Sequence, residues 1–297
     1  MATRRKHLEK RAGFFAFSVL EKYFLKKSPE DAERIGGRLG LLFYRLSRKH
    51  RKRALSNLAL AYPEVPEAER IELARKCCQH FGRTFADFLR SSARSAEEIM
   101  RECPLIGKEH LDEALRAGKG AILITGNIGN WERAAHSTAA QGYPLTVIVR
   151  DANDGDLNNA VSRIREMHGV GALSRGNAAR GILTKLKANE IIAILPDQNS
   201  GDIFVPFFGK PCGTVTGPSS INLKTGAPLI PVFCLRTGPN RFEMRINPPI
   251  EAVEGYEPVE GMTRAINNAL ETAIRENPDQ WLWFHDRWKS ARKAGLL

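Results

Sequence analysis

Cysteine is scarce and unpatterned in this chain. Cys77, Cys78, Cys103, Cys212 and Cys234 are an odd five, with no C-x-x-C pair and no histidine at metal-ligand spacing. That excludes a disulfide framework or a zinc module and leaves reduced thiols acting as small core residues. Neither a metal nor a cofactor is expected. No stretch of about 20 consecutive apolar residues is present, so no membrane-spanning helix is expected. The basic first residues are not followed by an apolar run with a small-residue cleavage site, so no secretory signal is expected either. Fixed-period repeats and low-complexity tracts are missing, which excludes solenoid and disordered classes. Acidic residues run short in one place. The first sixty residues hold sixteen Lys or Arg against five Asp or Glu, so eleven of the twelve net positive charges lie there. A basic region so confined is a handle for an anionic surface, either a lipid leaflet or a nucleic acid. No zinc spacing, RNP aromatics or reading helix accompanies the charge, so nucleic acid is not the expected partner.

What is present is enough for one sizeable α/β fold: 297 residues, 42% of them hydrophobic. Short apolar runs at 121–125, 145–149, 191–195 and 229–235 have the composition of strands buried on both faces. They alternate with helical patterns, which predicts a mainly parallel central sheet with flanking helices and a site at the strands' carboxyl ends. That rule puts Asn127, Glu132, Arg150 and Asp197, with Gln198 beside it, on one rim. Residues 1–100 read as helical. The segment 11–25 is rich in aromatics between basic flanks and too short to span a bilayer, which suits an interfacial helix; a helix packed on the protein's own core is the alternative. Ser28-Pro-Glu-Asp31 is a helix start, and Arg48-Lys-His-Arg-Lys-Arg53 is a dense basic cluster. The expected organisation is a basic, membrane-associating helical region at 1–100 and an α/β domain at 101–297, continuous with it.

The chain is organised around Gly126-Asn-Ile-Gly-Asn-Trp-Glu132, a glycine turn between the first buried strand and a helix. Such a turn aims backbone N–H groups at an anion. Helices at 157–167 and from Ala178 carry Arg163, Arg165 and Arg180, whose planar guanidinium groups suit a phosphate. Arg163 and Arg165 cannot both face one pocket from a helix.

These residues resemble the lipid A late acyltransferases, within the lysophospholipid acyltransferase superfamily. The core motif of that family resembles Gly-His-x-Gly-Asn-Trp-Glu, which Gly126, Gly129, Asn130, Trp131 and Glu132 match. Similar in turn are Asn57-Leu-Ala-Leu-Ala-Tyr-Pro63, Phe81-Gly-Arg83, Phe204-Val-Pro-Phe-Phe-Gly209, Thr216-Gly-Pro218, Lys224-Thr-Gly-Ala-Pro228 and Pro278-Asp-Gln-Trp-Leu-Trp-Phe-His285, so the likeness runs in order along nearly the whole chain. It implies a glycerol-3-phosphate acyltransferase-like fold and transfer of a fatty acyl chain from acyl carrier protein or acyl-CoA to a hydroxyl of a lipid A precursor or related glycolipid. It also implies a peripheral place on anionic lipid at the cytoplasmic face of the bacterial inner membrane.

The departure from the pattern is Asn127 where the resemblance implies His, and an amide has no proton affinity suited to base catalysis. Three readings follow. Glu132 and His136, four residues apart on a helix, form a displaced dyad; or Glu132 is itself the base while Asn127 donates to the oxyanion; or the chain is a catalytically silent lipid-binding protein. The motif does not name the acceptor, so a lysophospholipid remains an alternative to a glycolipid. Arg150, Arg163, Arg180, Asp197 and Gln198 are the expected substrate-binding residues.

Overall fold

The computed structural model describes residues 2–149, 155–174, 176 and 178–297. Four helices come first: α1 (Ala2–Leu25), α2 (Pro29–Leu46), α3 (Arg48–Ala61) and α4 (Glu67–Arg90). Then follow α5 (Ala96–Glu102), β1 (Leu105–Ile106), α6 (Lys108–Arg116), β2 (Ala121–Ile124), α7 (Trp131–Ala140), β3 (Leu145–Val149), α8 (Gly155–Met167), β4 (Gly171–Ser174), α9 (Ala178–Lys187) and β5 (Ile191–Ile194). The chain closes with β6 (Ile203–Phe207), β7 (Lys210–Thr214), α10 (Gly217–Thr225), β8 (Leu229–Gly238), β9 (Arg241–Ile246), α11 (Pro258–Glu276) and α12 (Lys289–Lys293).

Local chemistry sets the boundaries. Ser28 accepts the Asp31 N–H at 3.1 Å, Pro29 fixes the first helical φ, and Glu30 and Asp31 complement the dipole, so α2 starts where its sequence says. Ser95 and Glu98 close a reciprocal capping box on α5. The helix expected at 11–25 extends back to Ala2. Gly82 of α4 lies against Gly36 and Gly40 of α2 so closely that a Cβ there would overlap backbone atoms, so backbone meets backbone at this crossing.

Seven strands form one sheet in the order β1-β9-β8-β2-β5-β3-β4, parallel except where β9 runs against β8. The sheet is thus mainly parallel with helices on both faces. The four expected strands are all in it, with 229–235 prolonged to Gly238; β1, β4 and β9 add to them. The segment 203–214 is a separate two-stranded hairpin, turning through Phe208 (φ 53°) and Gly209 (φ 67°), both left-handed as a two-residue turn requires.

Alternation along β2 divides the core. Ile122 and Ile124 pack with Ile266, Leu270 and Ile274 of α11 and with Leu186 of α9. Ala121 and Leu123 pack with Leu111 of α6, Ala134 and Ala135 of α7, and Met244 of β9. A third cluster, Phe17, Phe24, Phe88, Leu89 and Ile164, joins α1, α4 and α8. Among the described residues, no helix is long and apolar enough to cross a membrane.

Candidate active site

The turn that follows β2 is held from three sides. Thr125 N–H reaches the Ile194 carbonyl at 3.1 Å, continuing the β2–β5 ladder by one residue. Gly129 has φ 61°, and a Cβ there would overlap the Cys234 carbonyl oxygen, so this position needs glycine both for its backbone and for its space. Gly129 N–H donates to Gln280 O at 2.9 Å, Asn130 N–H to Cys234 O at 2.8 Å, and Leu282 N–H to Asn127 O at 3.0 Å. The third side is α4. His80 Nε2 donates to the Gly129 carbonyl at 2.9 Å, and burial, then the charge of Arg236, lower its pKa to about 3, so the ring is neutral at physiological pH.

Asn130 caps α7, its Oδ1 accepting the Arg133 N–H at 3.0 Å, while its Nδ2 donates to Asp87 at 2.7 Å. Asp87 also receives Arg133 at 2.7 Å and pairs with Arg94. Burial alone would raise the Asp87 pKa, yet the two guanidinium groups hold it far below the carboxylate range.

Two hollows meet at this turn. A cavity of about 570 Å³ lies between α7 and the sheet, its mouth formed by Thr125, Asn127, Glu132, Arg165 and Gln198. A groove of about 590 Å³ is walled by Phe17 and Leu20 of α1, Phe81 and Phe85 of α4, Leu157 of α8, and Phe284. Both volumes fall in the range of small-molecule sites. Trp131, Glu132 and Val161 line both.

Glu132 is gripped by Arg165 through Nε at 3.0 Å and Nη2 at 2.6 Å, a bidentate pair, and accepts the Trp131 indole N–H at 3.2 Å. Asn127 is paired with Asp197: its backbone N–H donates to Oδ2 at 2.7 Å and its Nδ2 to Oδ1 at 2.9 Å. Trp281 Nε1 gives Asp197 a third donor at 3.0 Å. A carboxylate only accepts, so the Asn127 amide nitrogen must face it and the amide's second N–H is left over. At the same mouth the Thr125 hydroxyl, 6% exposed, and Gln198 Oε1 are buried without a partner.

The remaining expected residues are scattered. His136 borders a small void with Asp87, Arg133 and Glu132 and does not line the cavity. Its ring lies 4.2 Å from that of His168, and burial, then His168, lower its pKa to about 3. Among the described residues no hydrogen bond joins His136 to Glu132, whose two oxygens are held by Arg165, so the two do not form a dyad here. Arg163 pairs with Glu21 of α1 at 2.9 Å, and Arg180 is exposed; neither lines the cavity. Arg150 lies outside the described residues. Thr125, His80 and Trp281 are residues that sequence reasoning did not single out for the site, and of the pair Arg163 and Arg165 it is Arg165 that lines the cavity. Among the described residues, no group of His, Cys, Asp or Glu is arranged to hold a metal.

The sequence profile described as "Bacterial lipid A biosynthesis acyltransferase" matches residues 3–290. The chain belongs to this family. It is thereby placed among O-acyltransferases. It is 25% identical over 257 residues to a lipid A biosynthesis acyltransferase of Haemophilus influenzae, covering 84% of this chain and 79% of that one. It is 24% identical over 261 residues to the lipid A biosynthesis lauroyltransferase of Escherichia coli, with 86% and 85% covered. A phosphatidylinositol mannoside acyltransferase of Mycobacterium tuberculosis is 24% identical over 252 residues, with 81% and 79% covered. The relatives named here are thus glycolipid acyltransferases.

Proposed function

We propose that the protein transfers a fatty acyl chain from a thioester donor, acyl carrier protein or acyl-CoA, to a hydroxyl of a lipid A precursor or related glycolipid. The observation that carries this reading is Glu132, which faces a polar-mouthed cavity and an apolar groove at once, where an acyl donor and a lipid acceptor would have to meet. The acceptor hydroxyl attacks the thioester carbonyl as its proton passes to Glu132. The Asn127 amide N–H left over by Asp197 and the Thr125 hydroxyl donate to the oxyanion, and collapse expels the thiolate, which takes the proton back. Arg165 holds the carboxylate in place and offers a guanidinium to a headgroup phosphate.

The reaction belongs at the cytoplasmic face of the inner membrane, with the protein peripheral on anionic lipid. Supporting this, α1 and α2 expose Phe15 and Leu46 at 70% and 73%, together with Val19 and Leu42, on helices that also carry Lys22, Arg38 and Arg45.

A second reading is a lipid-binding member without catalysis. It is favoured by Asn127, which cannot accept a proton, and by Arg165, which occupies both oxygens of Glu132. Purified protein incubated with acyl carrier protein or CoA thioesters and a panel of glycolipid and lysophospholipid acceptors, with products weighed by mass spectrometry, separates these. An acylated glycolipid establishes the first reading. An acylated lysophospholipid changes the acceptor, and lipid retained without product establishes the silent binder.

A further inference from the structure

We infer that a buried void where α2, α4 and β8 meet is a binding site for a small monatomic anion such as chloride. Four guanidinium groups, Arg83, Arg90, Arg94 and Arg236, line it against two carboxylates, Glu33 and Asp87. The Arg94 and Arg236 side chains are each 8% exposed. The site stands apart from the acyl-transfer centre and does not depend on what that centre does.

Both carboxylates are already engaged. Asp87 takes Arg94, Arg133 and the Asn130 amide. Glu33 Oε1 takes Arg236 Nη1 at 3.1 Å, with Arg83 Nε no nearer than 3.9 Å, while its Oε2 accepts the Asn240 N–H at 2.6 Å. What remains is donors. The Nε of Arg83 and the Nε of Arg236 are buried without a hydrogen-bond partner. A guanidinium only donates, so no neighbouring arginine can satisfy them. Behind the lining, Arg133 and Glu102 pair with each other at 2.8 Å, and Glu30, on the exposed first turn of α2, does not line the void. The lining therefore carries a surplus of two positive charges.

The groups around the void respond to that surplus according to their own sign. Burial carries the Arg236 pKa below the usual guanidinium value although Glu33 and Asp87 act against it, and burial, then Arg94, does the same to Arg90. Asp87 is held far below the carboxylate range. A water molecule would accept from the free donors but bring no charge, whereas an anion does both. The void measures about 10 Å³, room for one water-sized sphere. Sulfate or phosphate is too large, and a halide fits once Arg83, whose side chain is 34% exposed, gives slightly. Arg83 closes the Phe81-Gly-Arg83 segment, in which Phe81 walls the groove and Gly82 makes the helix crossing; holding an anion is the part left for the third residue. Asp87 both lines the void and holds Asn130, the cap of α7, so an ion here braces the network under the motif turn.

The test is chemical denaturation of the full chain while potassium chloride replaces potassium gluconate at constant ionic strength. Gluconate is too large for the void, so general salt effects are held fixed. The midpoint should rise with chloride along a one-site saturation curve, and bromide should act likewise. Arg236→Gln and Arg83→Gln should each weaken the apparent chloride affinity about tenfold or more, the worth of one hydrogen bond to a charged group. Arg83 is part-exposed, so its variant carries the test should loss of Arg236 prevent folding. Arg116→Gln, at an exposed arginine of α6, should leave the curve unchanged. Crystals grown in bromide should show an anomalous peak in contact with Arg83 and Arg236.

A midpoint indifferent to chloride, or a response that survives both substitutions, overturns the site, as does a bromide peak that falls elsewhere. A peak in the void without a chloride-linked midpoint means an adventitious ion only and overturns it equally.

Discussion

Arg165 and Glu132 meet across α8 and α7 as a two-pronged ion pair, and both side chains are mostly buried, at 16% and 11% exposure. Two residues earlier on the same helix, Arg163 turns to Glu21 instead. The pair is what fixes the one carboxylate shared by cavity and groove, so its removal has consequences for both stability and turnover.

Arg165→Met should leave Glu132 as an uncompensated charge and cost about 3 kcal/mol of stability, read by chemical denaturation. The double variant Arg165→Met with Glu132→Leu should recover most of that loss, because no charge is then stranded. A single variant within about 0.5 kcal/mol of the native protein, the ordinary range for a surface change, would mean the pair is effectively solvated.

With Glu132 as the base and Asn127 as an oxyanion donor, Asn127→His should give no gain in acyl transfer or even lower it; a rise of about 10²–10⁴, the usual worth of a positioned base, would show that Glu132 does not serve as one. Asp197 already lies within hydrogen-bond distance of the side chain at 127 and would hold the imidazole tautomer. Asn127→Asp should instead set two carboxylates against each other and lower stability at neutral pH. Steady-state rates with thioester donors decide this, and a His variant no faster than native would show that base catalysis is not the missing element.

Stability should fall as pH drops below about 6.5. His80 and His136 are neutral in the folded protein, each with its pKa lowered to about 3, by burial first and then by Arg236 or His168 respectively. The unfolded chain takes up those protons near 6.5, so unfolding binds protons throughout the window from about 6.5 down to about 3, and each histidine costs about 1.4 kcal/mol per pH unit there. Below about 4 the depressed Asp87 adds a loss of its own, since its ion-paired form must then compete with protonation in the unfolded chain. Denaturation midpoints of native protein and His136→Leu at pH 7 and pH 5 check the sign: the variant should lose less between them.

Vesicle binding should require anionic lipid and weaken with salt, as the Debye length shrinks from about 10 Å at 0.1 M to about 3 Å at 1 M. Phe15→Ser with Leu46→Ser should reduce binding at every salt concentration, because these side chains contribute apolar and not electrostatic attachment. Sedimentation with neutral and anionic vesicles reads both, and equal binding to neutral vesicles at high salt would count against the charge.

The strands β2, β3 and β5 were legible because they are short apolar runs set between turns and helices. β4 was not, since Gly171–Ser174 is only part-buried and carries no such run. β9 does alternate, with Phe242, Met244 and Ile246 inward, but six residues between turns make a weak signal. At the site, the Gly-Asn-x-Gly-Asn-Trp-Glu turn announced itself. What the sequence could not decide was which of Arg163 and Arg165 enters the pocket. Two positions apart on a helix are roughly 200° apart, so the two face opposite ways, and only the seating of α8 chooses between them. His80 was equally silent, because a histidine in an apolar helical stripe looks like core, and its contact with Gly129 spans 49 residues.

The strip 280–283 lies along the motif turn, with Gln280 and Leu282 bonded to its backbone, an isolated bridge between Ile128 and Trp281, and the Trp281 indole on Asp197. On a ribosome, about half the chain still has to be made after Gly129 before that strip exists. The site is therefore assembled late in synthesis by a long-range closure, one that pays its entropy before it gains its contacts. A nascent chain halted before Trp281 would hold every residue at the cavity mouth and still lack the indole donor to Asp197 and the Leu282 bond to the Asn127 carbonyl.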